Sequence, residues 1–372
     1  MHTRADLSLK SQLRAILISC WWFGVLLVLS PVGFALNYAN VHGVANFVIN
    51  IAVMIPLAGM LGFAADQLSH YLGEVFGGLL VATFANAPEL IFSILALRNR
   101  QVDIVQASLV GSVVSNALLV QGMTFCAACK SPGKMFNRHV AQASLIQFAL
   151  CVSALSVVKS FPSLNEGARR ASYGISAILI LGYCCYFYLQ LKYQSAPQKA
   201  DEESCSTRDA SVQQTQARKQ PELTASVAMI LLILLTALIS FHSDFLVSSL
   251  STVLVKIPAT FVGLIMNPII GNAAEHWTAL REAYAGQIDL AMGVALGSAV
   301  QVANFLFPVI VLVACAMGVT DVTLDLDNLQ FCSLLASLLL LTSTLRAERL
   351  DLWLGVSFIL LYIIISVAAW FY

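Results

Sequence analysis

Charge is what this chain has least of. Asp, Glu, Lys and Arg make up 11% of its 372 residues, where a soluble domain carries about a quarter. Neither sign is in excess, since 20 basic residues face 20 acidic ones, and that balance leaves no electrostatic footprint for nucleic acid. Cysteine is present but not organised: the nine cysteines lie mostly within apolar runs and form no disulfide framework. Cys126 and Cys129 make a lone C-x-x-C, read as two small apolar residues near a helix end. There is no multi-histidine or multi-cysteine cluster of the kind that selects zinc or copper. These absences exclude an ordinary globular enzyme and a disordered chain alike. What fills the sequence is hydrophobic residue, 59% of the total, so the chain reads as one dissolved in lipid.

A helix needs about 20 apolar residues to cross roughly 30 Å of hydrocarbon. Eleven runs qualify, at 15–36, 44–65, 73–97, 103–128, 139–158, 170–191, 224–243, 257–280, 288–316, 328–345 and 352–371. Arg4, Lys10 and Arg14 precede the first run as in a signal peptide. The run is long and shows no convincing cleavage site, so a retained helix is expected. Only one connection is long and polar, 193–223, with Asp201, Glu202, Glu203 and Asp209 among Ser and Gln. It reads as a flexible linker after the sixth span. Lys and Arg in the N-terminal tail and alternate loops outnumber those on the opposite side more than two to one, which places the N-terminus and linker in the cytosol.

Slid along itself by 186 residues, the chain aligns ANAPELIFSILALRNRQVDIVQASLVGSVVSNA (85–117) with GNAAEHWTALREAYAGQIDLAMGVALGSAVQVA (271–303) without a gap. The identical pairs are Asn86/Asn272, Ala87/Ala273, Glu89/Glu275, Gln101/Gln287, Asp103/Asp289, Gly111/Gly297, Ser112/Ser298 and Ala117/Ala303. Shared apolar composition would supply the Ala and Gly matches but not Asn, Glu, Gln and Asp in register. The same offset superposes spans two to six on spans seven to eleven. Five spans per repeat is an odd number, so the second copy is inverted in the membrane. The expectation is an all-α polytopic membrane protein of about eleven transmembrane helices. It divides into an N-terminal tail and extra helix (1–43), a first five-helix repeat (44–192), the linker (193–223) and a second repeat (224–372). Secondary transporters with inverted repeats bind their substrate between the repeats, near the bilayer midplane.

Glu89 lies nine residues before Arg98, about 14 Å along a helix, which puts it near the midplane if Arg98 marks the surface. Glu275 is its partner by the repeat. A carboxylate at that depth is costly and marks function by default. Asn86 and Asn272 each stand three residues before an acid, on the same helix face. Pro88 follows Asn86, while Pro268 and Gly271 precede Asn272, so the helices are weakened there and free carbonyls that can line a polar cavity. Two carboxylates, two amide oxygens and a few carbonyls make six to eight hard ligands, which suits Ca²⁺ at about 2.3–2.6 Å. Mn²⁺ and other hard divalents fit the same description. Burial and mutual repulsion make the emptied pair a proton acceptor, and competition of proton and metal for one site yields antiport.

These strings, GLIMNPIIGNAAEH (263–276) with QIDLAMGVALGSAVQVA (287–303) and ANAPELIFSILALR (85–98), resemble the cation/proton exchanger family, the Ca²⁺/H⁺ antiporters of the Ca²⁺/cation antiporter superfamily. The resemblance runs over about 44–371. It implies Glu89 and Glu275 as exchange carboxylates with Asn86 and Asn272 beside them, and gating or proton-relay roles for His276, Gln106 and Gln301. Asp103 and Asp289 open spans four and nine, as helix caps or at an entrance. Ala85 stands where the family usually has glycine, which would restrict the bend or narrow the site. Asn304 sits in a span that is mostly apolar in the family. The linker acids at 201–209 are few beside the family's acidic helix, so a solvated linker is expected.

The reading is a secondary transporter, not an enzyme. It exchanges cytosolic Ca²⁺ for H⁺, with no cofactor and with the bilayer, the cation and protons as its partners. A Na⁺-coupled relative is the near alternative, but Asn86-Ala87 before Pro88-Glu89 replaces the small hydroxyl residues usual there. An intramembrane metallohydrolase using Glu275-His276, or a passive channel, stands further off. The family places many eukaryotic members in vacuolar membranes and bacterial ones in the plasma membrane.

Overall fold

In hydrocarbon every backbone N–H and C=O must find a partner within the protein, so a chain this apolar crosses lipid as helices or as a closed barrel. The structure, a computed structural model, describes residues 8–19, 22–39, 43–129, 138–161, 166–194, 221–346 and 351–372. Among them the chain is helical and has no strand. The 1–7 tail and most of the linker, with the acids at 201–209, lie outside the described residues.

The helices are α1 (Leu9–Ser19), α2 (Trp22–Tyr38), α3 (Val44–Ser69), α4 (Gly73–Ala85), α5 (Ala87–Arg98), α6 (Val102–Ala128), α7 (Arg138–Lys159) and α8 (Glu166–Gln194). After the linker come α9 (Ala225–Val253), α10 (Ala259–Gly271), α11 (Ala273–Tyr284), α12 (Ile288–Ala316), α13 (Asn328–Arg346) and α14 (Leu352–Phe371). Each of the eleven apolar runs falls on a helix or a broken pair of helices. Among the described residues seven helices are long and apolar enough to cross a membrane by length and composition, and the bent pair α4–α5 makes an eighth.

The repeat seen in sequence is repeated in the backbone. Asn86 (φ −101°, ψ 14°) separates α4 from α5, and Asn272 (φ −92°, ψ 12°) separates α10 from α11. The α4–α5 break bends the chain by 50° with alanine at position 85. Arg100 (φ 57°) and Gly286 (φ 77°) both close a helix in the left-handed region. The next N–H donates back across five residues in each case, Gln101 to the Ala96 carbonyl at 3.0 Å and Gln287 to the Glu282 carbonyl at 2.9 Å. Single π turns interrupt α6 over Ser115–Val120 and α12 over Val302–Leu306. The residues at the helix-start cap position are Gln101 and Gln287. Asp103 and Asp289 therefore sit in the first turn, not at the cap, where their charge favours the helix dipole.

Burial sorts the helices. In α6 and α12, 78% and 67% of the apolar window is buried, against 22% in α8 and 28% in α9 and α14, so α6 and α12 form the centre. One apolar core gathers around α6, α7 and α12, with residues such as Leu109, Phe148 and Phe307. A second joins α2, α3 and α9 through Leu26, Leu61 and Leu235. Within it His242 of α9 is fully buried. Its Nδ1 meets Asn50 Oδ1 at 2.7 Å and its Nε2 meets Ser30 Oγ at 2.8 Å, which ties the extra helix α2 to the first helix of each repeat. At the linker side, the last residues before α9 are held by α3: the N–H groups of Glu222 and Leu223 donate to Gln67 Oε1 at 2.7 and 3.3 Å. Asn304, unexplained by sequence, is fully buried and donates to the Gln147 carbonyl at 3.1 Å, linking α12 to α7.

Candidate functional site

The two helix breaks build the site. Each leaves an Asn at the break and a Glu in the first turn of the next helix, Glu89 in α5 and Glu275 in α11. Pro88 is tolerated in the first turn of α5, where the missing N–H has no helical partner to lose. In the second repeat Ala274 takes that position and the chain breaks all the same, so the shared Asn is the common element.

Glu89 is 5% exposed, and neither carboxylate oxygen has a hydrogen-bond partner among the described residues. Gly271, the last residue of α10, lies directly against it: a Cβ there would stand 2.9 Å from Glu89 Oε1. Glu275, in the first turn of α11, has one buried oxygen without a partner among the described residues. The amides differ. Asn272 is engaged by Ser112 of α6, its Nδ2 donating to the hydroxyl at 2.9 Å. The side chain of Asn86 is buried, and neither of its amide atoms has a partner among the described residues. A cleft beside Glu89 is lined by Met54, Pro88, Ser243, Asn267, Ile270 and Gly271.

The remaining sequence candidates are placed separately. His276 Nε2 lies 3.2 Å from Ser115 Oγ, on α6. Gln301 donates to the Ala82 carbonyl, in the last turn of α4. Asn86, four residues after Ala82, donates its N–H to Phe84 instead, so Gln301 occupies a carbonyl that the helix break frees. Gln106 donates to the Thr323 carbonyl at 2.9 Å and so holds the loop after α12, not the carboxylates. Sequence reasoning did not assign Asn267 or Ser243 to the cleft, or Ser112 to Asn272. The Ser112/Ser298 identity was a usable signal for the last of these, whereas Ser243 gave none.

Chemically this is a set of hard oxygens in a low-dielectric place. Carboxylate oxygens buried without partners are costly, and a divalent cation or protons would offset that cost. No group of three His, Cys, Asp or Glu suited to a metal occurs among the described residues. A cation bound at Glu89 would therefore rely on carboxylate and neutral oxygens, the ligand type that suits Ca²⁺.

Known proteins resemble this chain along most of its length. The family model described as sodium/calcium exchanger protein matches residues 42–192 and 227–371, one stretch on each side of the linker. A vacuolar calcium ion transporter of Schizosaccharomyces pombe is 34% identical over 377 residues, covering 98% of this chain and 88% of its own. Vacuolar cation/proton exchanger 2 of Arabidopsis thaliana is 32% identical over 363 residues, covering 94% and 81%. Among solved structures, selenium-substituted YfkE, a Ca²⁺/H⁺ antiporter protein, superposes with a TM-score of 0.75 at 26% identity, over 94% of this chain and 99% of that one.

Proposed function

The chain belongs to the sodium/calcium exchanger protein family, and from that membership we propose that it is a multi-pass membrane antiporter exchanging Ca²⁺ for H⁺, in a vacuolar membrane. The observation that carries the reading is the pair Glu89 and Glu275, each in the first turn after a helix break and each with a buried carboxylate oxygen that has no partner among the described residues. The names of the relatives, calcium ion transporter and cation/proton exchanger, give the cargo and the counter-ion.

In this mechanism the two carboxylates neutralise one divalent cation, and Asn86 and Asn272 add amide oxygens beside them. When the cation leaves, two like charges remain in a medium of low dielectric, and each carboxylate then binds a proton more readily. Because cation and protons compete for the same oxygens, movement of one is tied to movement of the other. Residues 44–192 and 224–372 act as the inverted halves, with the N-terminus and linker in the cytosol, so that Ca²⁺ leaves the cytosol against the proton gradient. Gln301, bound to the Ala82 carbonyl, couples α12 to the broken helix that carries Asn86 and Glu89.

The purified chain in proteoliposomes with an acidic interior is expected to take up radioactive calcium, with Mn²⁺ competing and a Na⁺ gradient unable to replace the pH gradient. Glu89→Gln and Glu275→Gln are each expected to abolish the uptake. Undiminished exchange by either variant, or uptake driven by Na⁺, would contradict the reading.

A further inference from the structure

Away from the carboxylate pair, several buried polar groups without partners among the described residues lie along the second half of α6. Gln121 and Thr124 are fully buried there. Neither the Gln121 amide atoms nor the Thr124 hydroxyl has a hydrogen-bond partner among the described residues. Asn116 donates Nδ2 to Ser298 of α12 at 3.0 Å, but its buried Oδ1 has no partner among the described residues. Ser115 beside it approaches His276 Nε2, at 3.2 Å.

Packing fixes which way this stripe faces. Val120 packs with Ala279 of α11 and Ala295 of α12, and Ala127 packs with Ala283 and Ala291 of the same helices. Thr124 lies four residues after Val120 and three before Ala127, so it shares their face. Gln121 is three residues before Thr124 and flanks that face. The seam between α6, α11 and α12 is thus met by alanines from two helices and by polar side chains from the third. From Ser112, beside Asn272, to Thr124 the helix rises about 18 Å, more than half of a hydrocarbon layer roughly 30 Å thick. The stripe therefore runs from the site to the face at which α6 ends, the side on which the linker lies.

The other repeat supplies a control. The positions in α12 that correspond to Asn116, Gln121 and Thr124 are Val302, Phe307 and Ile310, all buried. Helix packing at these positions does not require polarity, since the counterpart does without it. Polar groups at membrane depth without protein partners are accepted where water reaches them. The cleft at Glu89 lies elsewhere, among Met54, Ser243 and Asn267.

We propose that the seam of α6, α11 and α12 holds a file of water that carries the counter-ion proton between the carboxylate site and the linker-side face, apart from the cleft used by the cation. The proposal rests on the Ca²⁺/H⁺ exchange described above. Asn116, Gln121 and Thr124 hold the waters, and Ser115 and His276 join the file to the site. A proton passing along it forms one O–H bond and breaks one at each water, so nothing else is consumed.

The test uses the full chain in proteoliposomes and two assays on the same vesicles: calcium uptake driven by a pH gradient, and Ca²⁺/Ca²⁺ exchange at equal pH, which moves no proton. The double variant Gln121→Leu, Thr124→Val is expected to slow pH-driven uptake at least about fivefold and to leave Ca²⁺/Ca²⁺ exchange within about twofold. A parallel fall in both assays would assign the residues a purely structural role and overturn the proposal, as would no fall in either. Intact Ca²⁺/Ca²⁺ exchange with no pH-driven uptake in the unsubstituted protein would overturn the exchange reading itself, and this proposal with it.

Discussion

A methyl group added at Gly271 would lie 2.9 Å from Oε1 of Glu89, closer than a carbon and an oxygen can rest. Gly271→Ala must therefore push the carboxylate away from the position in which it would ligate. Calcium affinity is expected to fall by about tenfold, near 1.4 kcal/mol, as read from the calcium dependence of initial uptake rates. The reverse change at the symmetry-related position, Ala85→Gly, is expected to leave affinity unchanged or raise it, because Ala85 has not prevented the bend at Asn86. The residues themselves were legible: Glu89, Glu275, Asn86 and Asn272 stand out because four polar residues recur in register within apolar sequence. Their inequality was not. Asn272 is held by Ser112 while Asn86 has no partner among the described residues, and a repeat in sequence cannot say which copy is engaged.

Helix α6 meets α10 at two glycines. A Cβ at Gly111 would collide with the Leu264 carbonyl oxygen and stand 2.6 Å from Pro268 Cγ, and one at Gly263 would stand 2.6 Å from Ala107 Cβ. Gly297, the repeat counterpart of Gly111, has nothing within 4 Å of its added Cβ. Gly111→Ala is thus expected to cost about 1–3 kcal/mol by overpacking, seen as a lower thermal midpoint of the purified protein in detergent, and Gly297→Ala to leave the midpoint unchanged. Equal midpoints for the two variants would contradict the close approach of α6 and α10. The existence and order of the helices could be read from apolar runs because lipid demands helices of a set length. Their interruptions could be read only in part. Proline and glycine flag the breaks beside Asn86 and Asn272, yet nothing in the sequence announces the π turns. Arg100 in the left-handed region is equally silent, since only its counterpart Gly286 is a residue that favours that conformation.

At the scale of the molecule, two central helices, α6 and α12, are flanked by more exposed ones, and the first helices of the two repeats, α3 and α9, pack together with α2. The polar tie through Ser30, His242 and Asn50 lies in that bundle, and Gln67 fastens the start of α9 to α3. None of these ties was visible in sequence, because each joins residues far apart in the chain and without a repeated counterpart. The overall plan was visible, since composition, hydropathy and one offset suffice for it.

The account stands or falls on whether one cation is shared by a carboxylate from each half. Calorimetric titration of the purified chain with Ca²⁺ at alkaline pH, where protons compete least for the buried carboxylates, measures this directly. One Ca²⁺ per chain is predicted for the natural sequence, with Glu89→Gln and Glu275→Gln each weakening it by roughly a hundredfold or more, and the double variant losing less than the sum of the two single losses. Binding of Ca²⁺ with unchanged affinity by either single variant, or of two Ca²⁺ per chain by the natural sequence, would contradict it.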